Sequence, residues 1–136
     1  MKYLLDTNAC IRFLNGQSEP LRQRILLAEP EALLLCAVVK AELFYGAMKS
    51  HNPVGTLTKQ QQFVSRFASL DFDDKAAEVY GQIRADLDRQ GTPIGPYDLQ
   101  IAAIAIANEV TLISHNTREF QRIKELQLED WEIVPA

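Results

Sequence analysis

The chain has 136 residues, 47% of them hydrophobic and 24% charged, which fits one folded domain with a real core. Fourteen Lys and Arg against 18 Asp and Glu leave a net charge of −4, which argues against generic electrostatic coating of nucleic acid but leaves room for a local basic rim. Cys10 and Cys36 lie in apolar runs without a Cys-x-x-Cys or Cys/His partner, so they read as buried free thiols of a reducing compartment, not as a disulfide or a zinc site.

Lys2 to Leu5 is a short apolar run and reads as a strand that stops on Asp6. Thr7 to Leu14 reads as a helix ended by Asn15-Gly16. Ser18 caps a second helix with Pro20 in its first turn, Leu21, Ile25 and Ala28 on its inner face, and Pro30 at its end. Leu33 to Ala37 is a continuous apolar run, as in a strand covered on both faces, and a helix follows over Val38 to Met48. Ser50 to Gly55 reads as a loop, Thr56 to Ala68 as a helix, and Leu70 to Phe72 as a short strand. Asp73 or Asp74 caps a long helix to about Gln90. After a loop dense in Gly and Pro, Pro96 begins the most apolar helix, which runs to Ala107 or Asn108. Val110 to Ser114 is a strand, Thr117 to Arg122 a helical turn, and Glu132 to Val134 a last strand. Strand and helix patterns alternate without a repeat or a linker, so residues 1–136 are expected to form a single α/β domain with a parallel sheet of about five strands and helices on both faces. The longest apolar run, Ile101 to Ala107, is too short to span a bilayer, and no signal peptide opens the chain, so no membrane association and a cytoplasmic location are expected.

Four acids fall in four separate segments. Asp6 ends the first strand, where it either caps a helix or offers a ligand. Glu42 is four residues from Val38 and three from Tyr45, which puts it on an apolar helix face, where a carboxylate is costly unless it meets a metal, Lys40, Lys49 or a backbone amide. Asp98 heads the inner stripe of the most apolar helix, where an acid also complements the helix dipole. Asn116 and Glu119 follow the strand at 110–114, either as a capping box or as ligands of a metal or its water. Strand-to-helix junctions of a wound sheet collect at one edge. Carboxylates crowded there repel, and oxygen donors suit Mg²⁺ or Mn²⁺. No serine or cysteine nucleophile with a base partner and no Gly-rich phosphate loop is apparent, so a metal-bound water of lowered pKa serving phosphodiester hydrolysis is the expected chemistry. Arg12, Lys40, Lys49, Arg84, Arg89 and Arg118 are candidates for a phosphate-binding rim, although any one of them taken alone reads more readily as a solvated surface charge.

Leu4-Leu5-Asp6-Thr7-Asn8, Ala41-Glu42-Leu43-x-x-Gly46, Ile94-Gly95-Pro96-Tyr97-Asp98-x-x-Ile101-Ala102-Ala103 and Ser114-His115-Asn116-Thr117-Arg118-Glu119-Phe120 together resemble the PIN-domain ribonuclease toxins of the VapC family across essentially the whole chain. The resemblance implies a PIN fold and a Mg²⁺- or Mn²⁺-dependent endoribonuclease from a type II toxin–antitoxin pair. It implies Asp6, Glu42 and Asp98 as the acidic core and Thr7 and Asn8 as hydrogen-bonding supports. Many relatives have an acid where this chain has Asn116, so the fourth position falls to Glu119 or to an amide. The Gly95-Pro96-Tyr97-Asp98 block resembles the branch described as acting on initiator tRNA, tRNA(fMet). The resemblance further implies a homodimer and a VapB-type antitoxin. The apolar stripes at Leu21–Ala28 and Thr56–Ala68 serve either as core or as walls of a groove for that antitoxin.

Two other classes use an acid pocket. A receiver-like module that accepts a phosphoryl group needs paired acids after the first strand and a late lysine; here Leu5 precedes a lone Asp6 and no lysine follows Val110–Ser114. A non-RNA phosphohydrolase of the haloacid-dehalogenase kind needs a second acid where this chain has Asn8.

Overall fold

The computed structural model describes residues 1–134. Among them five short strands, β1 (Tyr3–Leu5), β2 (Leu33–Cys36), β3 (Ala68–Leu70), β4 (Thr111–Ile113) and β5 (Leu128–Glu129), form one sheet in the order β3-β2-β1-β4-β5. Every adjacent pair is parallel, as the alternation of patterns requires. The connections are helical: α1 (Thr7–Leu14), α2 (Glu19–Leu27), α3 (Ala37–Lys49), α4 (Pro53–Val64), α5 (Asp74–Gln90), α6 (Pro96–Ala107) and the single turn α7 (Thr117–Phe120).

Successive side chains of a strand point to opposite faces. All four residues of β2 and all three of β4 are buried, so helices cover the central sheet on both sides. α6 is buried almost all round through Leu99 and Ile101 to Ala105, and α5 lays Ala76, Ile83 and Leu87 in the core. Gly91 ends α5 with φ +71°, a left-handed cap that glycine adopts without a Cβ penalty. Among the described residues no helix is long and apolar enough to cross a membrane.

The topology fixes where a site belongs. β1 is flanked by β2 on one side and β4 on the other, so the winding reverses at β1. Ligands of open α/β sheets bind in the crevice beyond the carboxyl ends of the strands at such a reversal. The Asp6 amide donates to the Ile113 carbonyl at 3.1 Å, which ties the ends of β1 and β4 together at that crevice.

Three boundaries differ from those read in the sequence. α4 starts at Pro53 rather than Thr56, because the Asn52 side chain accepts the Gly55 amide and Pro53 fits the first turn, which shortens the loop. β3 is Ala68–Leu70, two residues ahead of the expected Leu70–Phe72, so Ala68 belongs to the strand and not to the helix. The last strand is Leu128–Glu129, not Glu132–Val134. Residues 130–132 turn instead: the Glu132 amide donates to Asp130 Oδ1, and the buried Trp131 ring packs edge-on to Tyr3 at 4.9 Å, leaving Ile133 and Val134 exposed.

Candidate active site

Asp6 is both a cap and a buried acid. Its Oδ1 accepts the Ala9 amide at 2.8 Å, which makes it the N-cap of α1. The residue is only 5% exposed. Burial pushes its pKa up to about 6; hydrogen bonds from the Ser114 hydroxyl and the Ala9 amide pull the other way, and the charges of Asp98 and Glu132 add to the rise. The Ser114 hydroxyl, itself buried, also accepts the Asn116 amide at 3.0 Å.

Glu42 comes to the crevice from α3, the helix that follows β2 directly. Thr7 Oγ1 donates to Glu42 Oε1 at 2.6 Å, linking the first turn of α1 to the middle of α3. Asp98 arrives in the first turn of α6, half-buried. Its pKa is raised by burial first, then by the Glu42 and Glu119 carboxylates. Asn116 Nδ2 donates to Glu119 Oε2 at 3.2 Å. The expected capping box at Asn116 does not form, since that side chain makes no cap hydrogen bond and reaches for Glu119 instead.

Asp98 thus feels the charges of Glu42 and Glu119, and Asp6 that of Asp98, although the four acids come from four separate segments. Among the described residues no three His, Cys, Asp or Glu side chains stand close enough to ligate one cation together.

The PIN domain family matches residues 3–126. Over 131 residues the chain is 41% identical to the tRNA(fMet)-specific endonuclease VapC of Salmonella typhimurium, covering 96% of this chain and 98% of that protein. Over 133 residues it is 38% identical to Ribonuclease VapC2 of Rickettsia felis, covering 97% and 99%. The chain belongs to the VapC family of PIN-domain ribonucleases. Solved structures of VapC-family proteins share its fold. A chain of the DNA-bound VapBC from Salmonella typhimurium matches with a TM-score of 0.90 at 41% identity, covering 96% of this chain and 98% of that one. A chain of VapBC2 from Rickettsia felis, bound to a DNA fragment from their promoter, matches at 0.89 and 38%, covering 96% and 99%.

Two residues at the crevice of this VapC-family chain were not singled out in the sequence. Ser114 looked like the end of a strand, and only its placement beside β1 gives it Asp6 as a partner. Glu132 sits in the turn after β5, its side chain 7% exposed, and contributes to the field on Asp6. Its partner is Arg12, 120 positions away, a separation that no local pattern reveals.

The six candidate rim cations sit in different surroundings. Arg12 is engaged through Nε with Glu132. Arg84 contacts Tyr80 and Arg89 contacts Asp86, each within α5. Lys49 lies over the Tyr45 ring, 5.0 Å from its centroid. Lys40 is half-buried on α3, and Arg118 is exposed on α7 beside Glu119. Asn8 is exposed in the first turn of α1, next to the Thr7–Glu42 link.

Proposed function

We propose that this chain works as one PIN domain, the cytoplasmic toxin of a type II toxin–antitoxin pair, and that it hydrolyses tRNA, with initiator tRNA as the substrate. The reading is supported by the reach of the Glu42 and Glu119 charges to Asp98, and of the Asp98 charge to Asp6 at the β1 switch point, with the carboxyl groups of Asp6 and Asp98 both raised. Such a field favours an oxygen-ligated divalent cation. PIN-domain nucleases generally use a divalent metal. The donors here are all oxygens, which suits Mg²⁺ or Mn²⁺, an ion that keeps several waters and takes one or two carboxylates, with substrate phosphate completing the shell. Of Asp6, Glu42 and Asp98, one or two would hold the cation directly and the rest would reach it through water, as would Asn116 or Glu119.

When bound, the cation supplies Lewis acidity that lowers the pKa of a water and steadies charge on the leaving oxygen. The chain supplies orientation. Ser114 and the Ala9 amide fix the Asp6 carboxylate, Thr7 fixes Glu42, and Asn116 fixes Glu119. Cys10 is buried, with its thiol raised well above the usual range by that burial, so it offers no thiolate nucleophile. Water is the attacking group, and the products carry 5′-phosphate and 3′-hydroxyl ends. Incubation of the purified protein with total tRNA and Mn²⁺ is expected to give discrete initiator-tRNA fragments with those ends, and none with EDTA. Cyclic 2′,3′-phosphate ends that persist in EDTA would contradict the reading.

Thr7→Val removes the hydroxyl that holds Glu42 while keeping the side-chain shape. It is expected to lower kcat about 10-fold and to cost about 1 kcal/mol of stability. Steady-state cleavage and a urea melt check both numbers.

The solved VapBC relatives are toxin–antitoxin complexes, and the expected partner here is a VapB-type antitoxin acting on a homodimeric toxin. A cleft of about 320 Å³ opens between α2 and α4, lined by Phe13, Ile25, Leu26, Phe63, Arg66 and Phe67. It lies between the two apolar stripes expected to form a groove. An apolar antitoxin segment with an acid facing Arg66 suits it.

A further inference from the structure

Glu42 borders two spaces. One carboxylate oxygen accepts from Thr7, and the side chain also forms part of the wall of a cleft of about 560 Å³ between α3 and the start of α6. The rest of that wall is uncharged, built by Ala37, Val38, Ala41 and Tyr45 of α3 with Tyr97 and Gln100 of α6. The spacing of Val38, Glu42 and Tyr45 reads in the sequence as a core face. In the fold the core face of α3 is Val39, Leu43 and Ala47, and the Glu42 face is left open. Tyr45 is 65% exposed and Tyr97 60% exposed. Tyr97 immediately precedes Asp98, and Tyr45 stands one helical turn beyond Glu42, so the two rings flank two of the acids.

Resting on the ribonuclease reading above, we propose that Tyr97 and Tyr45 take an unstacked nucleobase of the RNA substrate into this cleft, which sets the adjoining phosphate over Asp6, Glu42 and Asp98. Proteins read single-stranded RNA by splaying bases out onto aromatic rings and bonding their polar edges. The cleft has that division of labour: apolar walls and two rings for the flat face of a base, with the Gln100 amide for its donors and acceptors. Its continuity with the acids through Glu42 distinguishes it from the cleft at α2 and α4, which has no acid in its lining. Lys49, 5.0 Å from the centroid of the Tyr45 ring, supplies a cation for a neighbouring phosphate.

The test uses the full chain with Mn²⁺ and two RNA hairpins, one natural and one whose single-stranded loop carries abasic nucleotides. The wild type is expected to prefer the natural hairpin by about 10-fold or more in kcat/KM, mainly through KM. Tyr97→Phe keeps that preference, because the ring remains. Tyr97→Leu and Tyr45→Leu each reduce it. Leucine variants that retain the full preference would overturn the proposal. So would a Tyr97→Leu protein that turns monomeric by light scattering with its preference intact, which would give this face to a second copy of the chain. If the wild type cleaves neither hairpin, the ribonuclease reading is what fails. Fluorescence anisotropy with the same labelled hairpins then still decides the cleft, by whether Tyr97→Leu erases a difference in binding between them.

Discussion

Asp6→Asn is expected to lower RNA cleavage about 10³-fold, several kcal/mol of transition-state stabilisation, while making the metal-free protein more stable. Asparagine caps a helix as well as aspartate does, so the bond from the Ala9 amide survives the change. What disappears is a carboxylate that burial and the charges of Asp98 and Glu132 hold in an unfavourable ionised state at neutral pH. The sign follows from linkage. The Asp6 carboxyl is pushed up to about 6 in the folded protein from 3.8 in the unfolded chain, so folding takes up a proton between those values. The stability this group contributes is fully present below about pH 4 and is lost as pH rises through 6. About two pKa units correspond to about 2–3 kcal/mol. Urea melts in EDTA should therefore show Asp6→Asn level with wild type near pH 4 and more stable by about that amount near pH 7.5. A stability difference that does not change with pH would contradict this view of the site.

Arg12→Ala is expected to damage the fold more than RNA binding. The Arg12 Nε lies 2.5 Å from Glu132 Oε1, and the Glu132 side chain is almost wholly covered. Removing the guanidinium leaves a buried carboxylate unpaired in a crevice already rich in acids, which costs about 2 kcal/mol. That is less than for a fully buried pair, because Arg12 itself remains 39% exposed to solvent. Glu132→Gln on its own is milder, and in the Arg12→Ala background it should restore much of the loss. A double-mutant cycle in urea measures the coupling. Unchanged stability together with an RNA affinity that falls and loses salt dependence would return Arg12 to the phosphate rim.

The junction positions of Asp6 and Asp98 were legible because each lies in a local pattern. Asp6 ends an apolar strand and begins a helix, and Asp98 follows Gly95-Pro96 at the head of the most apolar helix. The parallel sheet followed from alternating periods, and the β1 crevice follows from the sheet order. Features set by distant contacts were not legible. Nothing near Arg12 announces Glu132, and nothing near Ser114 announces Asp6. The run Glu132 to Val134 looks like a strand, but the neighbouring Trp131 ring is anchored on Tyr3 and the turn is held by Asp130, so β5 closes earlier. Glu42 shows a different limit. Helical spacing shows which residues share its face, but not whether another element covers that face; Val39, Leu43 and Ala47 won the core, and Val38, Glu42 and Tyr45 were left lining a cleft.

The most direct measurement is a calorimetric titration of Mn²⁺ into the metal-free protein, run in buffers of different ionisation enthalpy, for wild type, Asp6→Asn and Asp98→Asn. The expected result is one saturable site in wild type that releases protons on binding near pH 6, with affinity at least about 10-fold weaker in either variant. Equal affinity in all three proteins, or no saturable binding to wild type, would contradict a cation held by these carboxylates.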